Sequence, residues 1–186
     1  MSDIQKRIGE PMSNEDLEKY ISVNPSDIVK YADLSNYQTI QDLLPKDGDF
    51  KIILIEDKQN HGHWVSVSRR GKVIEYFNSY GSAPDADWRF IPRMVRIILG
   101  ENTNDLTRMF KQAKKDGFKV VYNKKRLQKL SPNIQTCGRW IVFRRHLAEM
   151  GYDLGEFQKK IEQLRDDNTV KGVRPSSDWV VAKYIK

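Results

Sequence analysis

Apolar residues recur along this chain with two periods, and the switches between them outline its elements. Residues 50–55 form a nearly continuous apolar run, the mark of a strand covered on both faces. Residues 63–68 alternate, with Trp64, Ser66 and Ser68 on one side and His63, Val65 and Val67 on the other. Arg70, Gly71 and Lys72 predict a hairpin turn, and Val73–Phe77 returns as the partner strand. The expected register sets Val67 opposite Lys72 or Val73 and brings His63 close to Phe77 and Asn78. Residues 118–122 predict a further strand, with 126–128 as its extension.

The helical period appears on either side of this block. Ser13 caps a short helix over 13–21, with Asp16 at N3 and Leu17, Tyr20 and Ile21 on one face. A second short helix is expected over 27–34, and loops over 39–48, 58–62 and 78–85. Residues 88–99 read as mostly helical, with Pro92 near the start. Residues 104–116 place Leu106, Met109, Phe110 and Ala113 on one face before Gly117. A helix from 137 to 150 carries Trp140, Phe143, Leu147 and Met150, and stops at Gly151. Asp153 caps the next, with Leu154, Phe157, Ile161 and Leu164 inward. After a polar loop over 166–175, Ser177 or Asp178 caps a last helix through Tyr184. Strands in a central block with helices mainly after them predict an α+β class. The expected organisation is one domain over 1–186: an N-terminal segment over 1–48, a core over 50–150 and C-terminal helices over 151–186.

Composition changes the picture little. Of the 186 residues, 39% are hydrophobic and 31% charged, as in an ordinary water-exposed globular domain. No apolar run approaches the roughly 18–20 residues of a membrane span, and the first residues lack the apolar stretch of a signal peptide, so no membrane association is expected. The one cysteine excludes an internal disulfide framework. The net charge of +7 does add something, because it is clustered: Arg69-Arg70, Lys114-Lys115, Lys124-Lys125-Arg126 with Lys129, and Arg144-Arg145. These are candidate polyanion contacts, nucleic acid first; the competing reading is a solvated surface, since acids are plentiful and no nucleic-acid motif is present.

The candidate chemistry centres on that cysteine, Cys137. It sits where a loop becomes a helix, so unpaired backbone N–H groups and the positive end of the helix dipole favour its thiolate. A nucleophilic thiol needs a base. His146 is nine residues along the same helix, roughly 13 Å away, too far for proton transfer. His63 opens a strand and is the better candidate, against the ordinary reading of a hydrogen-bonded core histidine. Asn78 can accept from its other ring nitrogen, although it brings no charge. The backbone N–H groups of Cys137 and Gly138 can receive an oxyanion, joined by a side-chain amide from Gln128 or, alternatively, Gln135. A metal site from His61, His63 and Cys137 is disfavoured because it lacks a fourth ligand.

Gly62-His63-Trp64, then Glu75-Tyr76-Phe77-Asn78-Ser79-Tyr80-Gly81 with Pro84-Asp85, then Gln128, and finally Thr136-Cys137-Gly138-Arg139-Trp140, occur in this order. Together they resemble the adenain-like cysteine proteases of the Ulp1 type, whose order is His, Asp/Glu/Asn, Gln, Cys; papain-like enzymes begin with the Cys. The pattern looks most like the maturation proteases of virophages, Polinton-type elements and large DNA viruses. Asn78 departs from adenain's Glu and from Ulp1's Asp, and the loop from Gln128 to Cys137 is longer than adenain's. The resemblance implies a central mixed sheet of four to five strands packed on helices, with Cys137, His63, Asn78 and Gln128 catalytic. Trp64 and Gly138 would line the substrate cleft, with Trp64 narrowing it to favour small residues such as glycine. It implies capsid or other virion precursors as substrates, a monomer, and a place in the virion and the host-cell cytoplasm. No cofactor would be required, with DNA or a peptide as optional activator; Lys124, Lys125, Arg126 and Lys129 are the candidate DNA contacts. A Ulp1-like protease of ubiquitin-like modifiers and a basic nucleic-acid-binding protein are the alternatives.

Overall fold

A computed structural model describes residues 3–186. Five strands form one mixed sheet in sequential order: β1 (Ile28–Lys30), β2 (Phe50–Lys58), β3 (His61–Arg70), β4 (Val73–Phe77) and β5 (Lys119–Tyr122). The inner pairs β2–β3 and β3–β4 are antiparallel; the outer pairs β1–β2 and β4–β5 are parallel. Parallel neighbours need a crossover. β1 reaches β2 through α3 (Ile40–Leu43), and β4 reaches β5 through α4 (Arg93–Ile98) and α5 (Asp105–Lys115).

Side-chain alternation splits the core. Ile52, Leu54, Trp64 and Phe77 pack on α2 (Asn14–Ile21), α6 (Cys137–Glu149), α7 (Leu154–Asp167) and α8 (Ser177–Tyr184). Ile53, Ile55, Val65, Val67, Ile74 and Tyr76 pack on the other face against α3, α5 and a 3-10 turn over Tyr31–Asn36. α1 (Asp3–Gly9) lies against α8. The α+β class and the mixed sheet therefore stand, with helices on both faces.

Several local expectations change. The 27–34 segment is not one α-helix: a 3-10 turn at Pro25–Asp27 precedes β1, because β-branched Ile28 and Val29 gain a ladder with Ile52 and Ile53, and a 3-10 helix over Tyr31–Asn36 follows it. Residues 39–48 contain α3, which Thr39 and Asp42 start with a reciprocal capping box. The 88–99 stretch splits into a 3-10 turn at Ala86–Phe90 and α4, with Pro92 at the N-cap. β5 ends at Tyr122 and does not extend over 126–128. Ser176, not Ser177 or Asp178, caps α8. Helix α6 is buried almost all round, while Met150 is exposed, because α6 lies between the sheet and α7 with α8.

Two features set the position of the strand that carries His63. The hairpin register pairs Arg70 with Val73 and Val67 with Tyr76, so β4 ends opposite Ser66, and residues 61–65 have no β4 partner. This replaces the expected pairing of Val67 with Lys72 or Val73. On the β2 side the ladder shifts register between Glu56 and Lys58. There Gly62 passes so close to β2 that a Cβ would lie 1.9 Å from the Ile55 carbonyl oxygen. Only glycine allows that approach.

Buried acids hold the same bulge. Glu56 takes Lys30 Nζ at 3.2 Å and the Asn60 N–H at 2.6 Å, and the Glu56 N–H donates to Glu101 at 2.9 Å. Burial pushes the Glu101 carboxyl up to about 7 from 4.5. A folded-state value above the unfolded one means stability that is fully present below about pH 4.5 and lost as pH rises through about 7. Glu101→Gln keeps an oxygen for the Glu56 N–H and cannot ionise. We expect urea unfolding between pH 5 and 8 to show declining stability in the parent protein and a flatter profile in the variant.

Candidate active site

Because β3 outruns β4, the start of α6 meets β3 in the opening. Cys137, 4% exposed, is the first residue of α6. The N-cap is Thr136, but its hydroxyl donates to Asp178 Oδ1 at 2.6 Å and makes no capping bond to the helix. The first N–H groups of α6 therefore carry no side-chain cap and remain available to an anion. Asp178 also accepts the Lys129 N–H at 3.0 Å, which ties the loop before Cys137 to α8.

His63 Nε2 lies 2.9 Å from Asn78 Oδ1. The orientation of this amide follows from its other partners. Asn78 Oδ1 also accepts the Tyr80 backbone N–H at 2.9 Å, while Nδ2 donates to Asp87 Oδ2 at 2.6 Å and to the Tyr76 hydroxyl at 3.2 Å. A backbone N–H requires an oxygen and a carboxylate requires a donor, so the amide has one orientation. Its oxygen then requires the proton on Nε2, and neutral His63 keeps its lone pair on Nδ1. Nδ1 is buried and makes no hydrogen bond of ordinary geometry among the described residues; the interaction of the ring with Cys137, which shifts both groups, is a longer or less aligned one. Tyr80 stacks on the imidazole with ring centroids 4.2 Å apart.

The electrostatics match this placement. Burial by itself lowers the His63 value, but the hydrogen bond and charge of Cys137, the charge of Asp87 and the Asn78 bond outweigh it, and the net direction is up. Burial raises the Cys137 value, yet His63, by hydrogen bond and charge, and the backbone N–H groups of Trp64 and Gly138 bring it below the ordinary thiol range. Both shifts favour a thiolate–imidazolium pair.

The thiol opens into a cleft of about 400 Å³ whose lining includes His61, His63, Tyr80, Phe90, Leu130 and Gln135. Gln128 is buried: Oε1 accepts from the Ser79 hydroxyl at 2.8 Å, and Nε2 donates to the Ile134 carbonyl at 3.1 Å and, at 3.4 Å, to the Tyr80 hydroxyl. Gln135 lies on the cleft wall with Nε2 turned to Pro132 O at 3.0 Å. Neither Trp64 nor Gly138 is part of this lining, but Trp64 lines a groove that shares His61 and Gly62 with it. Strand alternation places Trp64 on the opposite face from His63, buried, with its indole N–H on the Met12 carbonyl at 3.1 Å and a neighbouring groove beside it. Gly138 is buried under Met12, whose Cβ would lie 2.8 Å from an added Cβ. His61 pairs with Asp57 at 2.7 Å, and His146 Nε2 lies 2.9 Å from the Tyr20 carbonyl.

Lys124, Lys125, Arg126 and Lys129 are exposed. Lys125 is paired with Glu162, whereas Lys124 lines a groove with Arg69, Arg70, Lys119, Arg144 and Arg145. Arg144 is bound at 2.7 Å through two nitrogens by Glu75, and Arg145 is paired with Glu149. No helix among the described residues is long and apolar enough to cross a membrane.

The sequence reading missed Asp87, assigned no role to Tyr80 and gave Asp178 only that of a helix cap. Tyr80 lies within the quoted Asn-Ser-Tyr-Gly motif. Asp87 is nine residues from Asn78 in a loop, where no periodicity links them; the acid quoted with the motif, Asp85, instead accepts the Tyr31 hydroxyl at 2.6 Å and the Thr107 N–H at 2.7 Å.

A lowered thiol value has a direct readout. Iodoacetamide should alkylate Cys137 at pH values where an ordinary thiol is nearly inert, and His63→Ala should move the profile upward toward about 8.5. Alkylation rates measured against pH by mass spectrometry check this.

No family model matches the chain. Solved structures of the SUMO protease Ulp1 with its catalytic cysteine oxidised resemble it across 98% of this chain. The sulfenic-acid form gives a TM-score of 0.45 at 15% identity over 79% of that chain, and the sulfinic-acid form 0.43 at 14% over 81%. A protein of Sputnik virophage, described as uncharacterized protein V9, is 36% identical over 154 residues, which are 82% of this chain and 84% of the relative. With that identity over most of both chains, this protein belongs to the family of Sputnik virophage V9.

Proposed function

We propose that this protein is a cysteine endopeptidase of a virophage-type element, cleaving capsid or other virion precursor proteins during particle maturation. The observation that carries the chemistry is the oriented Asn78 amide: its oxygen on His63 Nε2 leaves Nδ1 as the base beside a thiol at an uncapped helix start. The motif order and the virophage relative support the viral setting.

In this reading His63 Nδ1 takes the Cys137 proton, and the thiolate attacks the scissile carbonyl carbon. The oxyanion is held by the first N–H groups of α6 and by a glutamine amide. Gln128 is the better oriented donor: one Nε2 proton is on Ile134, and the other is on a long bond to Tyr80 that an oxyanion can replace. Gln135, on the cleft wall, is the alternative. Collapse of the tetrahedral adduct breaks the C–N bond, and the imidazolium gives its proton to the leaving amine. Water, deprotonated by His63, then hydrolyses the thioester and returns Cys137 as a thiol.

Precursors with an apolar residue near the cut would find Phe90 and Leu130 in the cleft. Trp64 lines the groove that adjoins this cleft, and a substrate path narrowed by it would favour small residues such as glycine. We read the enzyme as acting in the virion and the host-cell cytoplasm. DNA contact, if the enzyme uses it, falls to Lys124, Arg126 and Lys129, which have no acidic side chain paired with them among the described residues.

Cys137→Ala should abolish cleavage of capsid precursor co-expressed with the protein and leave the fold intact by circular dichroism. Cleavage that persists in this variant removes the peptidase reading. Gln128→Ala should lower kcat/KM by about 10²–10³; a loss of that size in Gln135→Ala, with Gln128→Ala silent, transfers the oxyanion role to Gln135.

A further inference from the structure

The bonds around Asn78 continue one residue beyond the Cys137–His63–Asn78 set, to a carboxylate. At 2.6 Å, the bond from Asn78 Nδ2 to Asp87 Oδ2 is the shortest of the four that this side chain makes. Asp87 is 5% exposed, and its Oδ1 is buried without a hydrogen-bond partner among the described residues. A buried carboxylate oxygen without a donor costs stability. The fold nevertheless places this acid behind the amide that orients His63, on the loop that also carries Phe90 of the cleft.

We propose that Asp87 is a positioning residue for the cysteine–histidine pair, fixing the rotation of the Asn78 amide and setting a negative charge one hydrogen bond behind it. The proposal rests on the cysteine-peptidase reading and adds to it the charge that an asparagine in the third position lacks. A flipped Asn78 would turn Nδ2 toward the His63 N–H and Oδ1 toward the carboxylate, two repulsive contacts in place of two bonds. In the native orientation, the carboxylate draws on the amide N–H and makes Oδ1 a stronger acceptor for the Nε2–H. When Cys137 gives up its proton, the imidazolium forms along this chain of dipoles, in a buried site where a charge is poorly screened. At this short range the charge of Asp87 also favours the protonated form of His63.

Asp87→Asn keeps an oxygen for Asn78 Nδ2 and removes only the charge, so it separates positioning by charge from simple packing. The full chain, labelled at histidine, is titrated by NMR, with His61 and His146 assigned by substitution. Iodoacetamide rates at Cys137 are followed in parallel. We expect His63 in Asp87→Asn to titrate about one pH unit lower, a tenfold loss of imidazolium stabilisation, and alkylation near neutrality to slow in the same direction. The rates should converge with the parent's at high pH, where His63 is neutral in both.

An unmoved His63 titration in folded Asp87→Asn, with His63→Ala still slowing alkylation, overturns the Asp87 role and leaves the peptidase reading standing. A parent thiol of ordinary reactivity that ignores His63→Ala overturns both. Should Asp87→Asn unfold, Asp87→Ser, which keeps an oxygen and removes the charge, is titrated in its place. A His63 titration below the parent's supports the proposal, and an unmoved one in the folded variant overturns it.

Discussion

The site depends on a difference in strand length. β3 runs five residues past the last rung it shares with β4, over 61–65. A ladder continued to the end of β3 would have filled this space with another strand. Instead the chain leaves β4 at Phe77, turns through Asn78 and Tyr80, and leaves an opening that the first turn of α6 enters. The free edge of β3 then has two uses: the Trp64 N–H faces the Cys137 sulfur, and the His63 side chain meets the turn that follows β4.

Once that opening exists, polar groups in a buried setting must be matched with each other. Asn78 is fully buried, and each of its amide atoms has two partners. The interior makes a mis-set amide expensive, so the same low polarity that would penalise an unpaired group here secures one orientation and one histidine tautomer. Thr136 shows the complementary case. Its hydroxyl is spent on buried Asp178, and the helix it begins is left uncapped at the thiol. Other contacts hold α6 in place. Arg144, bidentate on Glu75, joins α6 to β4, and Phe157 packs edge-on against Phe77 and Trp140.

The elements with strong periodicity were legible from residue order. The β2–β3–β4 meander, α5 with Leu106, Met109, Phe110 and Ala113 inward, the Ser13 and Asp153 caps, and the helix beginning at Cys137 each rest on local rules. The weaker segments were not. Residues 28–30 carry too few rungs to announce a strand and form one because β2 offers an edge; 40–43 is one helical turn held by a cap. Trp64, which alternates with His63 along β3, packs on the opposite strand face in the same buried cluster as Cys137, a proximity that residue order alone does not give.

By itself the sequence determined which groups were available: one thiol at a helix start, a strand histidine, an asparagine after the returning strand, two glutamines before the thiol. It also determined the order in which the chain presents them. Tertiary structure alone decided which of them meet and in what state. Asp87 comes to Asn78 through a loop contact that no repeat or spacing encodes, and Thr136 turns away from the helix because Asp178 arrives from α8. Local rules act over a few residues through dihedral preferences and periodic burial. The direction of an amide, the tautomer of an imidazole and the charge behind it are set by partners far along the chain, which only the folded packing brings within hydrogen-bond distance.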